Sequence, residues 1–482
     1  MDFLSIKNLN TIFNIVSEIN KHEKLDINKI DLNDSKTLEL FRNAHTSGVF
    51  QFESSGMMNF LRQLKVNSFN TLVDAIALYR PGPRDMIPSY IARKEGKEKI
   101  TYAVKDLEPI LSSTYGIMIY QEQVLEILRV IGGYSYAEAD LIRRAMSKKK
   151  ASVIEKNKEK FINGVISKDY SKEVGINLYD QIIKFSGYGF NKSHSVVYSV
   201  VAFQMAYLKI NYQLYFMNYL LNMNKSSEKI KEYIDESRLY HIDFEKISIN
   251  NTSYDFTIKD NKILIPLSII KGISINVCEE ISIEHNKSKF NSFYDFMIRC
   301  YGKSINKKVV TSLIECGAFD EFNVNKRELI NNFEIILNYV SLCKDIDSSL
   351  VSMPILEECN DYTESENIDH EISNYGFYLS NHPVTKVNRK DFITLESIDK
   401  YFNKTITAIL LVDSIKSIMT KNNEKMLFVK LSDEFNSIEG VIFPRVYSRV
   451  NFIEKGKIYK FIVNVEKRSD TLQLIINNVQ EI

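Results

Sequence analysis

Over most of the chain apolar residues recur at spacings of three and four, and near residue 403 the recurrence shortens to two. The opening MDFLSIKNLNTIFNIVSEIN is a short apolar start that runs into an amphipathic helix. From about 34 to 240 helical spacing dominates, interrupted by glycine and proline turns. The sharpest break is YRPGPRDMIP (79–88), whose prolines forbid regular helix. Residues 241–265 alternate in short β-like runs, and roughly 266–340 read as two helix pairs with compact turns. The polar, acidic DIDSSLVSMPILEECNDYTESENIDH (345–370) reads as a linker. Beyond it TITAILLVDSIKSI, MLFVKLSD, SIEGVIF, YKFIVNVEKR and LQLIINNV predict five strands and a small β-barrel.

Composition narrows the classes. At 482 residues, 44% hydrophobic and 26% charged, the chain reads as a soluble globular protein of two to four domains. No run of about 18 apolar residues predicts a membrane span, and the acid in MDFLSIKN does not fit a signal peptide. Five cysteines, none in a CxxC pair, argue against a disulfide framework and a zinc site, so a cytoplasmic location is expected. The formal net charge of +1 predicts no partner, which moves attention to local basic faces.

Three stretches carry candidate chemistry. In GYGFNKSHSVVYS (187–199) glycines free the backbone to turn, so that N–H groups can converge on an anion at the start of an apolar helix. Ser193 is expected to cap that helix, and Lys192 adds a full charge. An ordinary capped helix explains the turn about as well. In AEADLIRRAMSKKK (137–150), Arg143 and Arg144 sit on a helix ahead of Lys148, Lys149 and Lys150. Guanidinium groups suit triphosphate oxygens and lysines suit a nucleic-acid backbone, while a solvated helix face is the bland reading. In LYRPGPRD, Arg80 is held at a rigid proline turn.

Taken in order, GVFQFESSGM (48–57), ALYRPGPRDMIPSYIARKEG (77–96), TYGIMIYQEQV (114–124), AEADLIRRAMSKKK and GYGFNKSHSVVYS closely resemble the fingers of the bacterial DNA polymerase III alpha-subunit family. SLIECGAFDEF (312–322) looks like that family's helix-hairpin-helix module. NYGFYLSNHPVTKV (374–387) resembles the segment before its OB domain, and KMLFVKLSDEFNSIEGVIFPRVY (425–447) the OB fold itself. The order matches the branch whose OB domain follows the polymerase core. The fold class implied is a multidomain, mainly α chain of fingers and helix-hairpin-helix, followed by a small all-β OB barrel. Its expected divisions are a palm remnant (1–33), fingers (34–240), tandem helix-hairpin-helix (241–345), polar linker and connecting segment (346–402) and OB fold (403–482).

The resemblance implies triphosphate contacts at Arg80, Arg143, Arg144, Asn191, Lys192, Ser193 and His194, with Tyr188 and Phe190 expected in core packing rather than stacked on a base. It implies DNA contacts at Lys148, Lys149 and Lys150, and through backbone amides at the hairpin turns. The first of those turns, IIKGISINV, has Gly272 but Ser274 where the family has a second glycine; the second has Gly317 and matches well. On the barrel, Phe428, Phe443, Arg445 and Tyr447 are candidates for single-stranded template, against the plainer reading that strand aromatics are core. The family's polymerisation uses two magnesium ions held by palm carboxylates. Only the third carboxylate has a counterpart, Asp2, and the one Asp-x-Asp, Asp345–Asp347, lies in the polar stretch. The expected partners are primer-template DNA, deoxynucleoside triphosphates and a missing N-terminal polymerase half, with no membrane. A sliding clamp is a further partner of the family, but SSLVSMPILEE lacks the glutamine and aromatic of its motif. The chain alone is thus expected to be inactive, as part of a longer product or one half of a split polymerase. The alternative is a non-catalytic DNA-binding protein derived from such an enzyme; a plain helical scaffold is the weakest of the three.

Overall fold

The computed structural model describes residues 7–147, 151–186, 189–345, 351–377, 379, 382–420, 424–450, 452–468 and 471–482. It divides into two compact units, Met1–Phe216 and Met217–Ile482.

The first unit is helical. Its centre is the helix Lys192–Asn211, whose sequence SVVYSVVAFQMAYL has no polar stripe; from Val201 to Lys209 all side chains but Tyr207 are buried, as in a helix that is surrounded, while Val196 and Val197 nearer its start are exposed. It packs against Phe69–Leu78 and Ser35–Arg42. Serine and aspartate cap these neighbours, Ser68 accepting from the Thr71 amide and Asp34 from the Thr37 amide. Lys209 is fully buried on the central helix, and its Nζ donates to the Ser47 carbonyl at 2.7 Å. A second core gathers Gln121–Val130, Tyr136–Ser147, Ala151–Ile166 and Lys172–Ser186 around Ile127, Leu128, Phe161 and Tyr179. A Cβ on Gly164 would lie 2.4 Å from the Gly132 carbonyl oxygen, so the close approach of backbone there requires glycine.

The second unit begins its β structure with a three-stranded sheet: β1 (Phe244–Glu245), β2 (Thr257–Lys259) and β3 (Lys262–Leu264), in the order β1-β3-β2. The helices Ile275–Lys287, Phe293–Cys300, Lys307–Glu315, Lys326–Asn331 and Phe333–Asp345 follow. The polar stretch then departs from a free linker. Thr363 and Glu366 form a reciprocal capping box that starts a helix, Glu364–Tyr375. Upstream, Asn332 exchanges two hydrogen bonds with the backbone of Glu357, and Arg327 pairs with Glu366 at 2.6 Å. Acidic composition reads as solvated when partners lie elsewhere in the sequence, and here the asparagines and the arginine supply them.

The C-terminal strands β4 (Thr405–Met419), β5 (Lys425–Ser432), β6 (Ser437–Ile442), β7 (Ile458–Arg468) and β8 (Thr471–Glu481) close into a barrel in the order β4-β5-β6-β8-β7. The parallel pairing of β6 with β8 completes the closure. Strand β4 pairs with both β5 and β7, and its register slips between Val412 and Ser414, a bulge that bends it from one partner toward the other. Ile406, Ala408, Leu410 and Val412 fill the barrel. The alternate residues Ile409 and Leu411 are also buried, against Val384 with Ile368, Ile372 and Phe392 beside them. The run AILLV (408–412) is continuously apolar because both of its faces are covered.

Candidate functional site

The structure brings the 114–124 segment and the 189–194 turn together. Tyr120 and Phe190 form an isolated parallel bridge, and the Gln121 amide donates to the Phe190 carbonyl at 2.9 Å. The Gln121 side chain ties the pair, its Nε2 donating to the Gly189 carbonyl at 2.8 Å and its Oε1 accepting from Arg143 at 2.7 Å. Arg143 is thereby fixed beside the turn although it comes from another helix. Its guanidinium also donates twice to Asp140, at 2.8 and 3.1 Å, and Arg144 pairs with the other Asp140 oxygen at 2.7 Å. These donors hold the Asp140 carboxyl below the usual carboxylate range, the hydrogen bond from Arg143 contributing most.

Arg80 arrives from the proline turn, its guanidinium 4.5 Å from the centroid of the Phe190 ring. Phe190 is half-buried and serves as a platform for this arginine. His194 lies edge-on to the same ring at 5.3 Å and over Tyr198 at 4.0 Å.

The helix Lys192–Asn211 is capped by Asn191, in correction of the expectation for Ser193. Asn191 has the extended backbone of a cap (φ −72°, ψ 122°), and its Oδ1 accepts from the His194 amide at 2.8 Å. Ser193 lies inside the first turn, where a side chain cannot reach the amides ahead of it, and it is exposed. A carboxylate sits at this helix start: Glu122 accepts from the Lys192 amide at 3.0 and 3.1 Å and from the Asn191 side chain at 2.9 Å. The Lys192 ammonium is 5.4 Å from the centre of the Tyr120 ring.

Beneath the turn lies a buried anchor. Asp74, 7% exposed, accepts from Tyr120 Oη on one oxygen and from Tyr90 Oη on the other, both at 2.5 Å. Burial raises the Asp74 pKa, against the opposing pull of Tyr120, Tyr90 and the Lys192 charge. Burial and the neighbouring carboxylate push both tyrosines up. Ser195 Oγ donates to the Val73 carbonyl at 2.6 Å, tying the first turn of the central helix to the helix that carries Asp74. Sequence reasoning named Arg80, Arg143, Arg144 and Asn191 to His194. It missed Gln121, Glu122, Asp140 and Asp74; the available signals were Gln121 and Glu122 inside the quoted YQEQ, and Asp140 three and four residues ahead of the arginines in AEADLIRR.

Elsewhere the candidates scatter. Gly272 is exposed at φ 88°, with open space where a Cβ would stand. Ser274, in place of a second glycine, caps the helix Ile275–Lys287 with an ordinary φ of −85°, so nothing there demands glycine. Gly317 is buried at φ 80°, and a Cβ would meet the Asp320 carboxylate at 2.7 Å. Its amide donates to the Ile314 carbonyl and that of Ala318 to Leu313, which closes the end of the helix Lys307–Glu315. On the barrel, Phe428 is half-buried, with Lys416 and Val441 as its cross-strand partners. Phe443 and Arg445 are exposed. Tyr447 packs partly against the barrel core, with the Lys425 ammonium 5.2 Å from its ring centroid. Asp2, Lys148, Lys149, Lys150 and Tyr188 lie outside the described residues. Among the described residues no three His, Cys, Asp or Glu side chains come together as a metal site would require, so they do not fit a pair of magnesium ions. None of the described helices is long and apolar enough to cross a membrane.

Comparison with known proteins finds three families along the chain. Residues 8–169 match the bacterial DNA polymerase III alpha subunit finger domain, 241–329 a helix-hairpin-helix motif, and 410–482 an OB-fold nucleic acid binding domain. The DNA polymerase III subunit alpha of Bacillus subtilis is 34% identical over 496 residues, spanning 100% of this chain and 44% of the relative. That of Staphylococcus epidermidis is 35% identical, over 100% of this chain and 46% of the relative. That of Borreliella burgdorferi is 36% identical over 508 residues, spanning 100% and 44%. The chain thus spans less than half the length of these curated relatives. With fingers, hairpin and OB barrel in that order and relatives aligned along its full length, the chain belongs to the bacterial DNA polymerase III alpha-subunit family and corresponds to a C-terminal part of it.

Proposed function

We propose that this chain is the nucleotide-binding and DNA-binding portion of a DNA-directed DNA polymerase acting in replication in the cytoplasm. The single observation that carries the reading is the convergence of Arg80, Arg143, Asn191 and Lys192 on one turn at a helix start, with Phe190 and Tyr120 as its floor and Arg144 sharing Asp140 with Arg143. Such a turn orients a triphosphate by charge and direction together: planar arginines on its oxygens, a lysine beside it, and backbone amides at the positive end of the helix. His194 stands beside Phe190 in the first turn, and Ser193 is exposed next to it. The domains are read as a palm remnant (1–33), fingers (34–240), tandem hairpins (241–345), connecting segment (346–402) and OB fold (403–482).

DNA contacts are assigned to Lys148–Lys150, to the exposed turn at Gly272 more than to the internally bonded turn at Gly317, and to Phe428, Phe443, Arg445 and Tyr447. Phosphate contacts release counterions, so affinity for a primer-template should fall steeply with salt. Two magnesium ions enter only through the family, with Asp2 as the one proposed ligand, and the described residues supply no step for them. The 482-residue chain by itself is therefore expected to bind nucleotide without extending a primer. Titration of the purified chain with deoxyadenosine triphosphate tests the reading. Micromolar binding that weakens about thirtyfold in Arg143→Ala supports it. DNA binding with no nucleotide binding favours the non-catalytic alternative, and magnesium-dependent primer extension by the isolated chain would overturn the assignment of Asp2.

A further inference from the structure

Assigning the turn to a triphosphate leaves two carboxylates without a role, and any role given to them rests on that assignment. Glu122 occupies the helix start with both oxygens, accepting from the Lys192 amide at 3.0 and 3.1 Å and from Asn191 Nδ2 at 2.9 Å. Asp140 does the same on the arginines, with Arg143 at 2.8 Å and Arg144 at 2.7 Å. Most donors assigned to the triphosphate are therefore engaged by an anion of the chain itself. Both carboxylates are only half-buried, so water and ligand can reach them. Glu122 also lies in the first turn of its own helix, Gln121–Val130, where an acid is stabilised by that helix's amides. Released from Asn191 and Lys192, its charge keeps one favourable neighbour.

We infer that Glu122 is an internal stand-in for the triphosphate and sets the nucleotide affinity, with Asp140 as its counterpart on the arginines. Two anions cannot share the same N–H donors, and like charges a few ångströms apart repel. A nucleotide must displace the carboxylate to bind. Its apparent affinity is lowered by the fraction of molecules in which the carboxylate is engaged. A residue that merely props the turn would have the opposite signature, because its loss would loosen the site and weaken binding.

The sign of the change is the test. Glu122→Gln keeps the length and one acceptor but removes the charge, and Asp140→Asn does so at the arginines. Calorimetric titration of the full 482-residue chain with deoxyadenosine triphosphate, and with inorganic triphosphate as a base-free probe, should give a dissociation constant about tenfold lower in Glu122→Gln than in the unaltered chain. Asp140→Asn should shift the constant in the same direction, which keeps the inference testable if one variant unfolds. Thermal unfolding of each variant identifies that case. Binding by the unaltered chain with unchanged or weaker binding in the variants overturns this inference alone. Absence of binding of either probe by all three proteins overturns the phosphate reading and this inference with it.

Discussion

Two polar networks in this molecule are built on opposite principles. Around the 189–194 turn the groups are charged and partly exposed, and two carboxylates engage its donors: Asp140 takes Arg143 and Arg144, and Glu122 takes the Asn191 side chain and the Lys192 amide. Where the connecting segment meets the barrel the groups are buried. His382 Nδ1 accepts from the Val384 amide at 3.2 Å, so its Nε2–H points to Ser432 Oγ at 3.0 Å, and Ser432 donates on to Asp413 at 2.8 Å. Burial lowers the His382 pKa to about 3, with the charges of Lys231, Arg389 and Arg238 acting in the same direction. Burial also raises that of Asp413. An exposed ion pair contributes little to stability and can be exchanged for a ligand. A directed and largely buried chain of hydrogen bonds contributes to stability and has no vacancy to offer. Polarity alone does not mark a site; exposure of charge does.

Five substitutions would break or sharpen that contrast. The largest effect is expected at Asp74, the one buried carboxylate under the exposed network. Asp74→Ala strands the Tyr90 and Tyr120 hydroxyls and should lower stability by about 3 kcal/mol, read by urea denaturation. His382→Ala should lower it by about 2 kcal/mol. His382 also gives a pH signature with a definite sign. Its folded pKa of about 3 lies below the usual 6.5, so its contribution is complete above pH 6.5 and fades as pH falls from there toward 3. Melting temperature against pH should therefore be flatter in that window for His382→Ala than for the unaltered chain. Removal of the cap in Asn191→Ala should cost about 1 kcal/mol, whereas Ser193→Ala should leave stability unchanged. Arg143→Ala should change stability by less than about 0.5 kcal/mol while weakening nucleotide binding, and a large loss of stability there would erase the distinction between the two networks.

The barrel was plain in the sequence because its strands alternate and its turns are polar, and the five apolar runs fall on the five strands. The arginines and the 187–194 turn were equally plain, since charge inside an apolar pattern stands out. Local rules still misplaced the cap. Serine and asparagine two residues apart are both good caps, and only backbone geometry separates Asn191 from Ser193. Glu122 and Gln121 could not be connected to the turn by pattern, because 68 and more residues separate them from their partners. Gly317 and Gly272 were ranked by motif, and motif does not reveal that the amide of one is spent inside its own helix cap. Where the polar stretch is tied down, at Glu357 and Glu366, the reason is related: composition describes a segment's solubility, while Asn332 and Arg327 decide whether it is free.

Strand β4 bears on where this protein tolerates a cut. Its inner residues complete the barrel, but Ile409 and Leu411 on its outer side are covered by Val384 and by Ile368 and Ile372 of the helix Glu364–Tyr375. The barrel is thus not a cassette that ends where its first strand begins. A recombinant piece starting at 403 would carry a sticky stripe on its longest strand, prone to self-association, while one starting ahead of Thr363 would bring its own cover. Domain exchange between relatives would face the same rule, with barrel and helix inherited as a pair.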